Sequence, residues 1–215
     1  MRSLGRGALI VIEGVDRSGK STQCRKLVES LRAKSITAEL INFPDRTTLT
    51  GKLISEYLKN RDCKLNDQAI HLLFSANRWE NVEKMKSLLN SGTTLIVDRY
   101  SYSGITFSAA KGVVDINWCK QPENGLPKPD LVFLLTLSHK EAASRSGFGE
   151  ERYENETLQK NVSNAFLQLA KEEDNWRVID ANSSVESLHE VLLEGVLNKV
   201  SEVALKDLQT LQFNS

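Results

Sequence analysis

Cysteine is scarce. The 215 residues contain three, Cys24, Cys63 and Cys119, far apart and without a CxxC pair. That excludes a disulfide framework and a cysteine-ligated zinc site, and it fits reduced thiols in a reducing compartment. Histidine is equally sparse, and the scattered His71, His139 and His189 read as surface or satisfied core side chains rather than metal ligands. Neither sign of charge prevails: 28 Lys and Arg face 28 Asp and Glu, so no basic field exists to hold a nucleic acid backbone. Long apolar runs are missing too. The run behind the Met1–Gly7 leader is about six residues, against roughly 7–15 plus a cleavage site for a secretory signal and about 20 for a membrane helix. The expectation is a soluble intracellular protein without membrane or nucleic acid partners. The cytoplasm is its expected place, with a nuclear or mitochondrial pool left open. Internal repeats, low-complexity stretches and linker-like segments are absent as well, which predicts one domain over residues 1–215.

What is present begins with Gly14-Val15-Asp16-Arg17-Ser18-Gly19-Lys20-Ser21, which fits G-x-x-x-x-G-K-[ST] at every fixed position. Before it, Ala8–Glu13 is a short β-branched-rich run, as a buried parallel strand should be. After it, Cys24, Leu27, Val28 and Leu31 recur at helical spacing. Strand, loop and helix together raise the match from a pattern to a phosphate site. The glycines let the backbone wrap a polyphosphate, with amide hydrogens and a helix N-terminus facing the anion. Lys20 is expected at the β- and γ-phosphates and Ser21 at Mg²⁺. The sequence thus predicts a protein that binds a nucleoside triphosphate.

Further strands are predicted at Leu9–Glu13, Ala38–Phe43, Thr94–Asp98, Leu131–Leu137 and Arg177–Asp180. Helical patterns run over Lys20–Lys34, the long Gly51–Asn90 stretch, Ser103–Gln121 and Glu156–Glu173, where Leu158, Val162, Ala165, Phe166 and Leu169 form one apolar stripe. A closing helix from about Val185 turns Leu188, Val191, Leu192 and Val196 inward, and Pro122–Pro129 reads as a stiff surface loop. Alternating β and α elements call for an α/β fold of three layers, with a parallel sheet and ligands at the carboxyl ends of its strands.

Several side chains fall at those ends. Asp98 and Arg99 follow the apolar Leu95–Val97; an acid there can order Mg²⁺ through its waters, and a guanidinium suits an anionic substrate. Phe43-Pro44-Asp45-Arg46 follows the second strand and offers a second arginine for a phosphate. Phe74 and Arg78, four apart on a helix, share a face. A ring and a guanidinium on one face can stack a base and hydrogen-bond its carbonyl, although such a pair is commonly plain packing. The charged stretch from Ser138 to Arg152 has hinge glycines at Gly147 and Gly149, and its arginines would suit closure over phosphates.

Taken together, Glu13–Gln23, Phe43–Arg46, Phe74–Glu80, Asp98–Tyr100, Gly125–Asp130 and Glu151–Asn155 resemble thymidylate kinase in order and spacing. The likeness runs from about Ala8 to Glu190 and leans toward the eukaryotic members. The first motif alone is widely shared, whereas the combination is specific. The resemblance implies a P-loop nucleoside-monophosphate kinase fold with a five-stranded sheet, a phosphate loop at 14–22 and a lid at about 138–155. It implies transfer of phosphate from ATP to dTMP with Mg²⁺, feeding dTTP synthesis, in a homodimer.

The same resemblance implies roles for individual residues. Gly14, Arg17, Ser18, Gly19, Lys20, Ser21 and Thr22 would hold ATP, with Arg145 of the lid against adenine. Arg17, Lys20, Asp98 and Arg99 would act in catalysis, with Ser21 and Asp98 at the metal. For dTMP, Asp16 would meet the sugar hydroxyl, Arg46 and Arg99 the phosphate, Phe74 the thymine face and Arg78 its 4-carbonyl. Phe43, Leu58, Gly104, Phe107, Tyr153 and Gln159 would make the remaining contacts. The chain departs from vertebrate relatives at Ser183, where they carry a lysine near adenine, and in the lid sequence Ser144–Gly149. Two rivals remain for the residues themselves: a kinase acting on another pyrimidine nucleotide or a deoxynucleoside, and a nucleotide-dependent switch with no acceptor site.

Overall fold

The computed structural model describes residues 5–60, 62–138, 141, 152–153 and 155–213. Within them the apolar runs become five strands: β1 (Leu9–Gly14), β2 (Ala38–Asn42), β3 (Thr94–Asp98), β4 (Leu131–Thr136) and β5 (Trp176–Asp180). All pair in parallel, in the order β2-β3-β1-β4-β5. Central strands must be apolar on both faces, and β1 is buried along its whole length. Alternate side chains divide between two cores. Leu9 and Val11 face one, with Leu95, Val97, Val132 and Leu134; Ala8, Ile10 and Ile12 face the other, with Ile96, Phe133 and Leu135.

Helices α1 (Lys20–Ala33) and α8 (Val185–Val203) cover the second core, through Cys24, Leu27 and Leu31 and through Leu188, Leu192 and Val196. Helices α4 (Val82–Asn90), α5 (Ser101–Ala109), α6 (Ile116–Lys120) and α7 (Glu156–Leu169) bring Met85, Leu89, Ile105, Cys119, Val162 and Phe166 to the first. The expected three layers are present. Helices α2 (Leu49–Lys59) and α3 (Asp67–Trp79) pack on each other around Ile54, Tyr57, Leu58 and Ile70, forming a small separate cluster.

The structure refines the helical stretches and corrects the sequence reading where faces were assigned by spacing. Gly51–Asn90 is three helices. Thr48 accepts from Gly51 N at the start of α2, and Asn66 accepts from Ala69 N at the start of α3, so a polar cap divides α2 from α3; α4 starts at Asn81 without a side-chain cap bond. Ser103–Gln121 divides likewise into α5 and α6, with Asp115 capping α6. Val191 is not inward but 49% exposed. Leu188, Leu192, Gly195 and Val196 share one arc of α8, and at about 100° per residue Val191 lies beyond its edge. Pro122–Pro129 is no surface loop: Glu123 and Leu126 are fully buried. The C-terminal segment covers it, with Leu211 N bonded to Leu126 O and Gly125 N to Leu211 O.

Register decides the rest. Ile12 pairs with Asp98 and Gly14 with Leu135, so the loop leaving β1, the end of β3 and the end of β4 meet at one edge. This is the edge where a parallel sheet binds ligands.

Candidate active site

A cleft of about 1050 Å³ opens at that edge. At one end lies the phosphate loop. A Cβ at Gly14 would stand 2.3 Å from Leu135 O, so close strand packing requires glycine there. Gly19 caps α1 at φ 93°, and the α1 N-terminus points its unpaired amides into the cleft. Lys20 is 5% exposed; its ammonium donates to Val15 O at 2.6 Å and to Ser18 Oγ at 3.4 Å. Burial, assisted by the Arg99 charge, pulls it down to about 8, against the opposing carboxylates of Asp16, Asp98 and Glu13. Ser21 Oγ donates to the carboxylate of Asp98, which joins the two residues expected at a metal. Among described residues no cluster of three His, Cys, Asp or Glu side chains suits a metal ion.

Backbone strain marks the same place. Non-glycine residues with positive φ among those described are Arg17 and Arg99, both at 65°, and Ser35 at 59°. Each such residue costs roughly 1–2 kcal/mol and persists where surrounding contacts fix it. For Arg99 the contacts are visible. Its guanidinium binds Asp16 Oδ1, donates to Gly14 O and Ser103 Oγ at 3.2 Å each, and lies 5.3 Å from the Phe107 ring. Gln159 donates to Asp16 Oδ2 at 2.5 Å and accepts from Asp16 N at 3.1 Å. Burial would raise the Asp16 carboxyl, but Arg99, Lys20, Gln159 and Arg17 together hold it below its usual range. Arg46, exposed, and Phe43, buried, line the same cleft as Arg99.

The same cleft is lined by Leu58, Phe74, Arg78, Gly104, Phe107 and Tyr153, so the helical pair Phe74 and Arg78 does border one space. Arg78 is 2% exposed and is gripped by Glu123, Nε to Oε2 at 2.7 Å and Nη2 to Oε1 at 2.5 Å. A Cβ at Gly104 would stand 2.5 Å from Arg78 Nη2. Most of the expected site residues therefore share one cleft, while Gly14 and Ser18 lie in the phosphate loop without lining it. Gln159 reaches it through Asp16, while Arg145 and most of the lid lie outside the described residues. Ser183 is exposed in the turn between β5 and α8.

Three residues, Glu13, Asn77 and Glu123, were not singled out by the sequence, and a fourth, Arg152, takes a different role. Glu13, fully buried, accepts from Tyr100 N (2.9 Å), Ser103 N (3.0 Å) and Ser103 Oγ (2.6 Å), and so fixes the start of α5. Asn77 accepts from Asp45 N at 2.7 Å and donates to Asp45 O at 3.1 Å, holding the turn before Arg46. Glu123 lies across the chain from its partner. Arg152, read as closing over phosphate, instead donates to Tyr57 O, Asn60 O and Cys63 O at 2.8–2.9 Å, capping the C-terminal end of α2. A burial signal for Glu13 was available from its place at the end of an apolar strand; the other three depend on tertiary contacts. His71 is a satisfied core side chain, as expected, between Ser108 Oγ (2.8 Å) and Cys119 O (3.0 Å).

Comparison with known proteins agrees with this geometry. Residues 12–192 match the family described as thymidylate kinase. Human thymidylate kinase is 51% identical over 207 residues, covering 94% of this chain and 97% of that protein. The Schizosaccharomyces pombe enzyme is 52% identical over 202 residues, covering 92% and 95%. A solved structure of thymidylate kinase from Candida albicans, 41% identical, superposes with a TM-score of 0.90 over 97% of this chain and 99% of that one. With the family matched over most of the chain, at half identity to its relatives and on the same fold, this chain belongs to the thymidylate kinase family.

Proposed function

We propose that the chain transfers the γ-phosphoryl group of ATP to dTMP, giving ADP and dTDP. One observation carries the reading: a single cleft joins a phosphate loop to a second pocket in which a ring, Phe74, and a buried guanidinium, Arg78, face the same space. A nucleotide switch would need only the first of these. A nucleoside kinase would not need Arg46 and Arg99 in the same cleft, where they could hold an acceptor phosphate.

In this reading the dTMP phosphate oxygen is already anionic and attacks the γ-phosphorus directly. A P–O bond forms there as the bond to the bridging oxygen of ADP breaks, so no general base is required. The protein positions two polyanions and offsets their repulsion. Lys20 and the amides of Arg17 through Thr22 hold ATP, and Arg17 reaches the transferring group. Arg46 and Arg99 hold the acceptor phosphate, and Asp16, kept in place by Gln159, meets the sugar hydroxyl. Phe43, Leu58, Gly104, Phe107 and Tyr153 shape the acceptor pocket, and Arg145 belongs to the adenine side. The hydroxyl–carboxylate pair of Ser21 and Asp98 is an oxygen donor set that suits a hard cation held mainly by phosphates and water. Mg²⁺ bound there would neutralise charge on the phosphate oxygens.

A single kinase domain would carry these parts, acting on cytoplasmic nucleotides. Among the described residues no helix is long and apolar enough to cross a membrane. Two copies would pair as a homodimer through α2 and α3, which expose Leu49 (79%), Leu53 (57%) and Leu72 (46%); light scattering of the purified chain reads this directly. The function is tested by ADP release with Mg·ATP and dTMP, dUMP, dCMP, UMP or thymidine. Turnover should be strong with dTMP. It should be weaker with dUMP, since loss of one methyl contact costs only about 1–3 kcal/mol, and nearly absent with the others. ATP binding without acceptor-stimulated turnover would overturn the assignment.

A further inference from the structure

Arg78 and Glu123 form a bidentate ion pair that is almost wholly excluded from water, with side-chain exposures of 2% and 0%. An arginine needs no such partner to donate to a base. A buried pair of this kind is also a poor stabiliser compared with apolar side chains of similar volume. Its geometry is the informative part. Glu123 takes Nε and Nη2, and the Gly104 backbone closes on the Nη end of the same guanidinium. Nη1 is the nitrogen that Glu123 does not bind. A guanidinium has five N–H donors and no acceptor, so the directions of the remaining ones, both on Nη1 and the second on Nη2, are set by whatever fixes the plane.

Glu123 is itself held rigidly. The carbonyl of the preceding Pro122 accepts from Ser75 Oγ at 3.0 Å and from Trp79 Nε1 at 2.8 Å, both on α3 beside Arg78. Behind it, Gly125 N bonds Leu211 O at 2.9 Å and Leu211 N bonds Leu126 O at 2.8 Å. Carboxylate and guanidinium are thus referenced to one helix, and neither can swing to suit a different ligand.

We propose that Glu123 is a positioning residue for acceptor choice: by gripping two nitrogens of Arg78 it fixes where the third can donate, and thereby enforces discrimination between a base carbonyl and a base amino group. This rests on the reading of Phe74 and Arg78 as the base pocket. A freely rotating arginine would move away from an amino group and tolerate it. A clamped one leaves two donors facing each other, which is costly in a buried site.

The test is steady-state kinetics of the full-length chain and of Glu123→Gln, with dTMP and dCMP as acceptors and ATP varied separately. The amide retains one acceptor but turns an NH₂ toward the other arginine nitrogen, so one of two contacts becomes repulsive. Expected are a rise of about tenfold in KM for dTMP, kcat and the ATP KM within about twofold, and a fall of about tenfold in the dTMP-to-dCMP ratio of kcat/KM. An unchanged KM and ratio would overturn the proposal, as would equal losses in kcat and both KM values, the pattern of a merely structural role. Should the amide variant not fold, the same readouts on Glu123→Asp decide, because shortening the side chain breaks the two-point contact and keeps the charge. An Arg78→Met/Glu123→Gln cycle adds a further criterion: once Arg78 is gone, the Glu123 change should no longer affect dTMP KM, and additive effects would refute the link. If the unaltered chain fails to turn over dTMP, the functional reading itself falls, separately from the role of Glu123.

Discussion

Arg99 and Asp16 are bound to each other at the carboxyl edge of the sheet, a guanidinium following β3 closed onto a carboxylate from the loop after the neighbouring β1. The pair ties the two strand ends that must act together. Because the same guanidinium also reaches Gly14 O and Ser103 Oγ, its planar fork spans three acceptors that an ammonium cannot reach at once. Arg99→Lys should therefore behave as a severe change. KM for dTMP should rise by about tenfold or more and kcat should fall, with KM for ATP little altered. Retention of wild-type kinetics would show that charge alone suffices.

Lys20 sets function against stability. Burial draws its ammonium down to about 8 from 10.5. Below about 8 the folded chain carries the charge at full desolvation cost. Between about 8 and 10.5 the unfolded chain holds a proton that the folded chain has shed, so stability climbs with pH across that window. Lys20→Met removes the cost. It should raise stability at pH 7 by on the order of 1–3 kcal/mol while abolishing turnover, and the gain should vanish by about pH 10.5. Thermal melts of both proteins at pH 7 and above pH 10 check the sign. In the unaltered chain, apparent ATP affinity should weaken as pH rises past about 8.

Gly104 owes its identity to what lies over it. A side chain there would need the space of Arg78 Nη2, 2.5 Å away, and of Cζ, 3.1 Å away. Glu123 prevents the guanidinium from yielding. Gly104→Ala should cost roughly 1–3 kcal/mol in stability through overpacking and raise KM for dTMP several-fold. Calorimetry and acceptor kinetics on one preparation test both parts, and an undisturbed KM would show that Arg78 has room to move.

The sheet and the phosphate loop were legible because they are written locally. β1, β3 and β4 are runs buried on both faces, and a loop fitting the phosphate pattern at every fixed position needs no tertiary information. Phe74 and Arg78 were legible as a pair because helical spacing alone puts them on one face. What could not be read was whatever needs a partner far along the chain. Arg78 finds Glu123 forty-five positions away, and Arg152 finds Tyr57 O ninety-five positions away. The helical stretch Gly51–Asn90 could not be divided from its periodicity, which carries across Asn66 and Asn81; Asn66 caps α3 through its side chain, whereas Asn81 at the start of α4 makes no such bond. Pro122–Pro129 looked like a surface loop because prolines and a glutamate mark turns. The reason Glu123 is buried lies in a C-terminal segment that reads as featureless.

Glu13 shows how much a single buried acid organises. It satisfies two backbone donors and one hydroxyl at the start of α5. Burial raises its carboxyl above the usual range even though those bonds and the Arg99 charge oppose the rise. Glu13→Ala would leave all three donors unmet in a dry site and should cost on the order of 3 kcal/mol or more. Glu13→Gln still presents one acceptor and should cost clearly less. Urea unfolding of the two variants separates them, and equal losses would mean that the donors find other partners.

The segment after α8 earns its place through Leu211. This side chain is 1% exposed, belongs to the same core as Leu9 and Val97, and its backbone bonds Gly125 and Leu126, two and three positions beyond Glu123. Leu211→Ala should lower stability by about 2–4 kcal/mol through lost burial and the remaining cavity. If the segment served only to fill the core, melting temperature would fall while kinetics measured well below the melt stayed as they were. The contacts argue for more. Loosening Gly125 and Leu126 frees the carboxylate that clamps Arg78, so KM for dTMP should rise and selectivity against dCMP should weaken. KM for ATP should stay fixed, because the phosphate loop shares no bond with the segment among the described residues. A shift confined to the acceptor side would mark the C-terminal segment as part of the specificity apparatus, and equal shifts for both substrates would reduce it to a stabilising cover.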